Sequence, residues 1–206
     1  MESVSLEWAQ SKVHLALFER VENARELRQR LIEASTLPDD DAGNLERSQV
    51  DYAFVDASMI TSRAHIMTAV TQALLAQAQA NLKSKTMHSE VIWMLEPGTN
   101  ISEALKHFGM SATTRDLLLV RIQQQDAAEQ STQSIETAMK SIVKGDLAPL
   151  DLLGQLPDGR LNEKSIRKIY KLNSDAALAG LEPGSRQLSE TIDRIVTSVV
   201  ALKSVQ

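Results

Sequence analysis

The segment KVHLALF occupies residues 12–18, near the start of the chain. Its short apolar run, with partial alternation, is typical of a β-strand. Similar runs stand at YAFVD (52–56), VIWML (91–95) and LLLVRI (117–122), and we expect each of them to be a strand. The chain is therefore predicted to form a small sheet of about four strands.

Helical patterns lie between these strands and after the last of them. In six segments, apolar residues recur at the spacing of one helix face, or cap residues mark the ends of a helix. These segments are residues 23–34, 63–82, 101–108, 135–144, 161–172 and 186–203. The order predicts an α+β fold, in which a mostly antiparallel sheet is covered by helices and followed by a helical C-terminal tail.

One segment interrupts this pattern. Residues 36–49, TLPDDDAGNLERSQ, contain proline, glycine and three consecutive aspartates. Such a segment buries too little apolar area to offset the entropy lost on ordering. We predict a mobile insertion at 36–49. The chain has no internal repeat and no second composition block, so residues 1–206 are expected to form a single domain.

Composition excludes several kinds of site. The 206 residues include no cysteine, which removes disulfides, thiolate nucleophiles and cysteine-bound zinc. The four histidines show no H-x-x-x-H spacing, and no glycine-rich nucleotide or hydrolase motif occurs. No window approaches the ~18 apolar residues of a membrane span. We expect a protein without cofactor, metal, catalytic residues or membrane contact, inside the cell.

The C-terminal helix has more apolar residues than one docking stripe needs. The surplus fits either a groove for a partner or a helix sandwiched within the domain, and the sequence does not decide between them. The residues that would bind a partner are Leu188, Ile192, Ile195, Val196 and Val199.

A basic turn is the second candidate surface. The net charge of −5 is the wrong sign for binding nucleic acid over the whole surface, yet residues 57–89 contain no Asp or Glu. If 91–95 is a strand, two turns lie about 17 Å apart at its ends, close enough for one chain of phosphates to reach both. An ordinary exposed loop is the commoner explanation. The residues concerned are Lys83, Lys85, Thr86, Gly98 and Asn100.

A third candidate is the helix NEKSIRKIYKL, residues 162–172. Its cations share one face, which suits phosphates or, more commonly, an ordinary solvated surface. Tyr170 is on the other face and is expected in the core, between the helical tail and the sheet. The cations are Lys164, Arg167, Lys168 and Lys171.

Several phrases resemble one family. LALFERVENARELR, YAFVDASMITS and LKSKTMHSEVIWMLEPGTNISEALKHFGMS occur in order, followed by SIVKG and IRKIYKL. Together they run from about Val13 to about Leu172 and resemble the PRPK-binding protein family, the small kinase-binding subunit of the KEOPS/EKC complex. The phrase SIVKG is similar to the fungal branch of that family.

The resemblance implies a specific role. The family subunit binds and stimulates the small atypical kinase/ATPase of the complex, meets the other subunits through it, and helps to recruit tRNA by its 3′ end. A different subunit then threonylcarbamoylates the adenosine beside the anticodon. A link to telomere maintenance, and localisation in nucleus and cytoplasm, are also implied. The alternatives are a structural adaptor of the kinase with no direct RNA contact, and a free-standing enzyme acting on a small ligand.

The chain departs from the family pattern in two places. The 36–49 insertion is longer and more acidic than the family leads us to expect. Glu96 stands near the position where archaeal relatives carry a basic residue. Both departures predict that tRNA binding depends on the assembled complex.

Overall fold

The computed structural model describes residues 1–124, 130–156 and 159–203. It has the α+β architecture that the sequence predicts. The chain divides into two compact units. The sheet unit comprises Met1–Asp56 and Gly109–Pro149, and the helical unit comprises Ala57–Phe108 and the chain from Leu150 onward.

The sheet unit is built on an antiparallel sheet. In the described residues its order is β1-β2-β4-β3, and β5 pairs with the end of β2. The strands are β1 (Glu2–Leu6), β2 (Ser11–Glu19), β3 (Ala53–Asp56), β4 (Leu117–Gln124) and β5 (Asp146–Ala148).

The structure confirms three of the four predicted strands, at β2, β3 and β4. The runs at 12–18 and 117–122 pair with each other along most of their length, with Phe18 opposite Leu117. The sequence missed β1 and β5. Both are short and partly polar, and their ladder hydrogen bonds come from β2, a remote segment that local patterns do not reveal.

Helices pack on the sheet to form the core of this unit. They are α1 (Ala24–Thr36) and α6 (Thr132–Ile142), and α2 (Asp41–Gln49) packs against α1. Leu27 of α1 and Met139 of α6 belong to one buried cluster with Phe18, Phe54 and Leu119 of the sheet. Phe18 is 1% exposed, so its truncation to alanine is expected to cost about 3–5 kcal/mol.

Residues 36–49, predicted as a mobile insertion, contain the helix α2, which the sequence analysis did not predict. Polar contacts take the place of apolar burial here. The Asp40 carboxylate caps the helix by accepting from Gly43 N at 2.8 Å. Arg47 donates to the carbonyls of Leu37 and Pro38. The mobility of this segment stays a prediction.

The helical unit contains most of the remaining helices. In it, α3 packs against both α4 and α8, and α4 packs against α5. Its α-helices in the described residues are α3 (Arg63–Ala78), α4 (Met87–Leu95), α5 (Ile101–His107), α7 (Glu163–Ile169) and α8 (Arg186–Leu202). Except for α4, all were predicted, with α3 ending four residues before the predicted Leu82. None of the helices that the structure describes is long and apolar enough to cross a membrane.

The prediction of a strand at 91–95 is wrong, since these residues form the second half of α4. All five are buried. A short apolar run that is buried on every side has no helical or strand periodicity to read. The local sequence does favour a helix start, because the Thr86 hydroxyl caps α4 by accepting from Ser89 N at 3.1 Å.

Candidate functional site

Helix α4 places the two predicted turns at its opposite ends. The Lys83–Thr86 turn precedes it, and the Gly98–Asn100 turn follows it. Its nine residues span about 13 Å at 1.5 Å per residue, somewhat less than the strand would have spanned. The predicted residues of both turns are exposed, namely Lys83, Lys85, Thr86, Gly98 and Asn100.

A buried carboxylate shapes the first turn. Glu90 is 0% exposed, and its oxygens accept from Lys83 N at 3.0 Å and Ser84 N at 2.8 Å. The Ser84 hydroxyl also donates to it, at 2.6 Å. These donors compensate the buried charge. The backbone of the turn is therefore fixed, while the side chains of Lys83 and Lys85 lie on the surface.

A second carboxylate shapes the second turn. Glu96 is 7% exposed, and it accepts from Gly98 N at 3.3 Å and from His107 Nδ1 at 2.7 Å. Asn100 caps α5, with its Oδ1 accepting from Ser102 N at 2.8 Å. The acid that departs from the archaeal pattern is thus turned inward, where it builds the turn.

The chemistry of these turns suits an anion. Lys83 and Lys85 offer exposed ammonium groups in a stretch whose nearest acid, Glu90, is buried. The Thr86 hydroxyl and the Asn100 amide oxygen are engaged as helix caps. Thr86 and Asn100 thus shape the turns, whereas the side chains of Lys83 and Lys85 lie at the surface.

Helix α8 has an inward stripe and an outward stripe. Leu188 and Ile192 are each 3% exposed and Val196 is 0% exposed, so these predicted partner-binding residues belong to the core. Ile195 and Val199 are half-buried. The outward stripe continues to Leu202, which is 58% exposed and which the sequence interpretation missed. Part of the apolar surplus therefore docks α8 within its unit, and binding of a partner by the remaining residues stays a prediction.

The cation row on α7 is interrupted. Lys164, Lys168 and Lys171 are exposed, as predicted. Arg167 is half-buried and pairs with Glu163 at 3.5 Å, one turn earlier on the same helix. Three exposed lysines remain as a secondary candidate for binding phosphates.

A buried hydrogen-bond chain holds the helical unit together. Tyr170, 6% exposed, donates its hydroxyl proton to the Leu95 carbonyl and accepts from His65 Nε2 at 3.1 Å. His65 Nδ1 accepts from Thr61 N at 3.3 Å. Burial lowers the pKa of His65 to about 3, so the ring is neutral at pH 7. The predicted burial of Tyr170 is confirmed, and its partners are helices of its own unit.

The sequence interpretation also missed Lys203, just after α8. Its ammonium donates to the carbonyls of Trp93 and Glu96, and lies 3.5 Å from the centroid of the Trp93 ring. Burial lowers the pKa of Lys203 to about 8, although the negative charges of Glu96 and Glu90 act to raise it. Lysine is a common surface residue at helix C-termini, so nothing in the sequence marks Lys203 as buried.

Acidic and histidine side chains do not assemble into a metal site within the described ranges, where no group of three or more could hold an ion. The exposed turns and the outward stripe of α8 are surfaces of the kind that contact other macromolecules.

The sequence matches a known family over most of its length. The family described as Kinase binding protein CGI-121 matches residues 18–204. The EKC/KEOPS complex subunit cgi121 of Aspergillus terreus is 30% identical over 204 residues, which cover 98% of this chain and 96% of that protein. The EKC/KEOPS complex subunit CGI121 of Coccidioides immitis is 36% identical over 167 residues, which cover 80% and 72%.

A third fungal relative, the EKC/KEOPS complex subunit CGI121 of Gibberella zeae, is 29% identical over 210 residues, which cover 100% of this chain and 99% of that protein. This chain belongs to the kinase binding protein CGI-121 family, in its fungal branch. The resemblance seen in the sequence is thereby confirmed.

Proposed function

We propose that this chain is a non-catalytic subunit of a KEOPS/EKC complex, which binds and stimulates the small atypical kinase/ATPase and helps to recruit tRNA for threonylcarbamoylation. Family membership and the names of the fungal relatives support the place in the complex. The observation that carries the kinase-binding part is the outward stripe of α8.

The outward stripe has the properties of a helix face that binds a partner. Ile195, Val199 and Leu202 follow one another at spacings of four and three, so they line one side of α8. They are apolar, yet they are half-buried or exposed, while the inward residues of the same helix complete the core. Burial of this stripe by a partner would remove apolar surface from water without disturbing the fold.

The test is binding of the kinase by a charged variant. Ile195→Asp with Leu202→Asp places two carboxylates in the proposed interface. We expect the dissociation constant to rise roughly 30-fold or more, since each buried charge without a partner costs about 1 kcal/mol at least. The measurement is calorimetry or co-elution with the kinase of a fungal EKC/KEOPS complex.

A matched control is Leu45→Asp, because Leu45 is 61% exposed and lies on α2 of the sheet unit. It should bind the kinase like the unaltered protein. Unchanged binding by the double variant, with its circular dichroism intact, would move the interface away from α8.

The RNA part rests on the Lys83–Thr86 turn. Its two exposed lysines are fixed at the N-terminal end of α4, and the Gly98–Asn100 turn lies at the other end. Lys83→Glu with Lys85→Glu should weaken tRNA binding by the assembled complex and lower the slope of its salt dependence, because fewer counterions are released. Kinase binding should stay as it was.

The tRNA affinity and salt dependence of this double variant also distinguish a tRNA-recruiting subunit from a structural adaptor. An unaltered affinity and salt slope would reject the turn, and the exposed lysines on and just after α7, namely Lys164, Lys168 and Lys171, would be tested next. If neither set of lysines affects tRNA binding, the alternative holds, in which the chain is a structural adaptor of the kinase without direct RNA contact.

The proposal extends to a role in telomere maintenance and to a location in both nucleus and cytoplasm. Telomere length in a deletion strain would test the first, and a fluorescent fusion would test the second.

A further inference from the structure

The Gly98–Asn100 turn is exposed, but it is held from the inside at several points. The Glu96 carboxylate accepts from Gly98 N, and the indole of Trp93 donates to the Thr99 carbonyl at 3.2 Å. Trp93 is 7% exposed, so both supporting side chains are buried. The shape of the turn therefore depends on how the C-terminal end of α4 is fixed.

Lys203 provides that fixation. It is 8% exposed, and its ammonium donates to two backbone carbonyls at the C-terminal end of α4, those of Trp93 and Glu96. The same ammonium lies over the Trp93 ring, at 3.5 Å from its centroid. One cation thus contacts both residues that support the turn, by hydrogen bonds to their backbone and by attraction to the indole.

We propose that Lys203 is a positioning residue, whose buried ammonium fixes the Gly98–Asn100 turn in the shape that receives RNA. This inference rests on the proposed function of that turn. Lys203 does not contact RNA in this scheme, because its donors are engaged with carbonyls and its side chain is buried. It acts through Trp93 and Glu96.

The position of Lys203 joins the two proposed surfaces. It follows Leu202 directly, and Leu202 is the most exposed residue of the outward stripe of α8. A partner bound to that stripe holds the end of α8, and with it the ammonium that supports the turn. The turn is therefore expected to be better ordered in the complex with the kinase than in the free chain.

The first test uses the two tryptophans, of which Trp8 is 53% exposed. In a Trp8→Phe background, emission reports on Trp93 alone. Lys203→Met keeps an unbranched side chain of nearly the same length and removes its ammonium group. We expect a shifted Trp93 emission and roughly tenfold faster hydrogen exchange at the amides of residues 98–100. The matched control is Lys140→Met, which removes an exposed cation from α6.

A pH titration of the Trp8→Phe protein provides a second measurement that needs no variant at Lys203. The emission of Trp93 should change with a midpoint near pH 8, where the ammonium loses its proton. The other titratable groups nearby are Glu90, Glu96 and His107, which is hydrogen-bonded to Glu96, and burial raises the pKa of Tyr170 well above 10. A titration without a step between pH 7 and 9 would overturn the assignment.

Measurement of tRNA binding then separates the positioning role of Lys203 from the RNA-binding role of the Gly98–Asn100 turn. If tRNA binds the unaltered complex and Lys203→Met weakens it at least several-fold while kinase binding persists, both stand. If exchange at residues 98–100 speeds up but tRNA binding is unchanged, the turn is positioned by Lys203 and its RNA function is rejected. If exchange and emission are those of the Lys140→Met control, the positioning role is rejected whatever tRNA does.

Discussion

The inward and outward sides of α8 use the same kinds of side chain for opposite purposes. Ile192 and Ile195 are three residues apart, yet Ile192 is 3% exposed and Ile195 is half-buried. The first completes a core, and the second lies on the surface that we propose binds a partner. Residue type does not separate a core residue from a surface residue here, because the two positions lie only about 60° apart around the helix axis and the neighbouring elements decide which of them is covered.

The largest effect expected from this comparison is on stability. Ile192→Asp buries a carboxylate without a partner, so the free energy of unfolding should fall by more than about 4 kcal/mol. Ile195→Asp should lower it by about 1 kcal/mol or less, because its charge remains accessible to water. Urea denaturation followed by circular dichroism measures both. Equal losses would show that the two sides are not distinct.

The C-terminal end of α7 allows the same comparison with an aromatic residue, since Tyr170 directly follows its last residue. Tyr170→Ala should cost about 3–5 kcal/mol, since it empties a buried site and breaks the chain to Leu95 and His65. Tyr170→Phe keeps the ring and should cost about 1–2 kcal/mol, which separates the packing of the ring from its hydrogen bonds.

The outward control for this position is Lys168→Ala, whose side chain is exposed and which should change stability by less than about 0.5 kcal/mol. A melting temperature of Tyr170→Ala that equals that of the control would contradict the burial of the ring.

A smaller effect on stability is expected from the protonation of His65, which lies buried in the first turn of α3. His65 has a folded pKa of about 3 and an ordinary value of 6.5, so the unfolded chain binds more protons between these values. Its contribution to stability is complete above pH 6.5 and is lost as the pH falls toward 3. The free energy of unfolding should be lower by about 2 kcal/mol at pH 5 than at pH 7 from this residue.

The contribution of His65 is isolated by His65→Gln. The difference between the two proteins in their pH dependence from 7 to 5 removes the effect of His14, whose pKa burial also lowers. Parallel curves for the variant and the unaltered protein would mean that His65 reaches solvent and is protonated in the folded state.

The errors of the sequence interpretation have a common physical origin. The run at 91–95 has no periodicity because all of its residues are buried, so it was equally compatible with a strand and with α4. At 36–49 the stabilising contacts are polar, such as the Arg30 guanidinium on the Glu46 carboxylate at 2.5 Å. Apolar patterns do not register contacts of that kind.

Local periodicity, caps and long matching phrases were enough to predict the α+β class, the strands β2, β3 and β4, the positions of most helices, and membership of the family. Tertiary structure alone decided which apolar residues of α8 remain outside, and that Glu96 and Lys203 are turned inward around Trp93. Burial and the direction of a charged side chain depend on neighbours remote in sequence, which no local pattern contains.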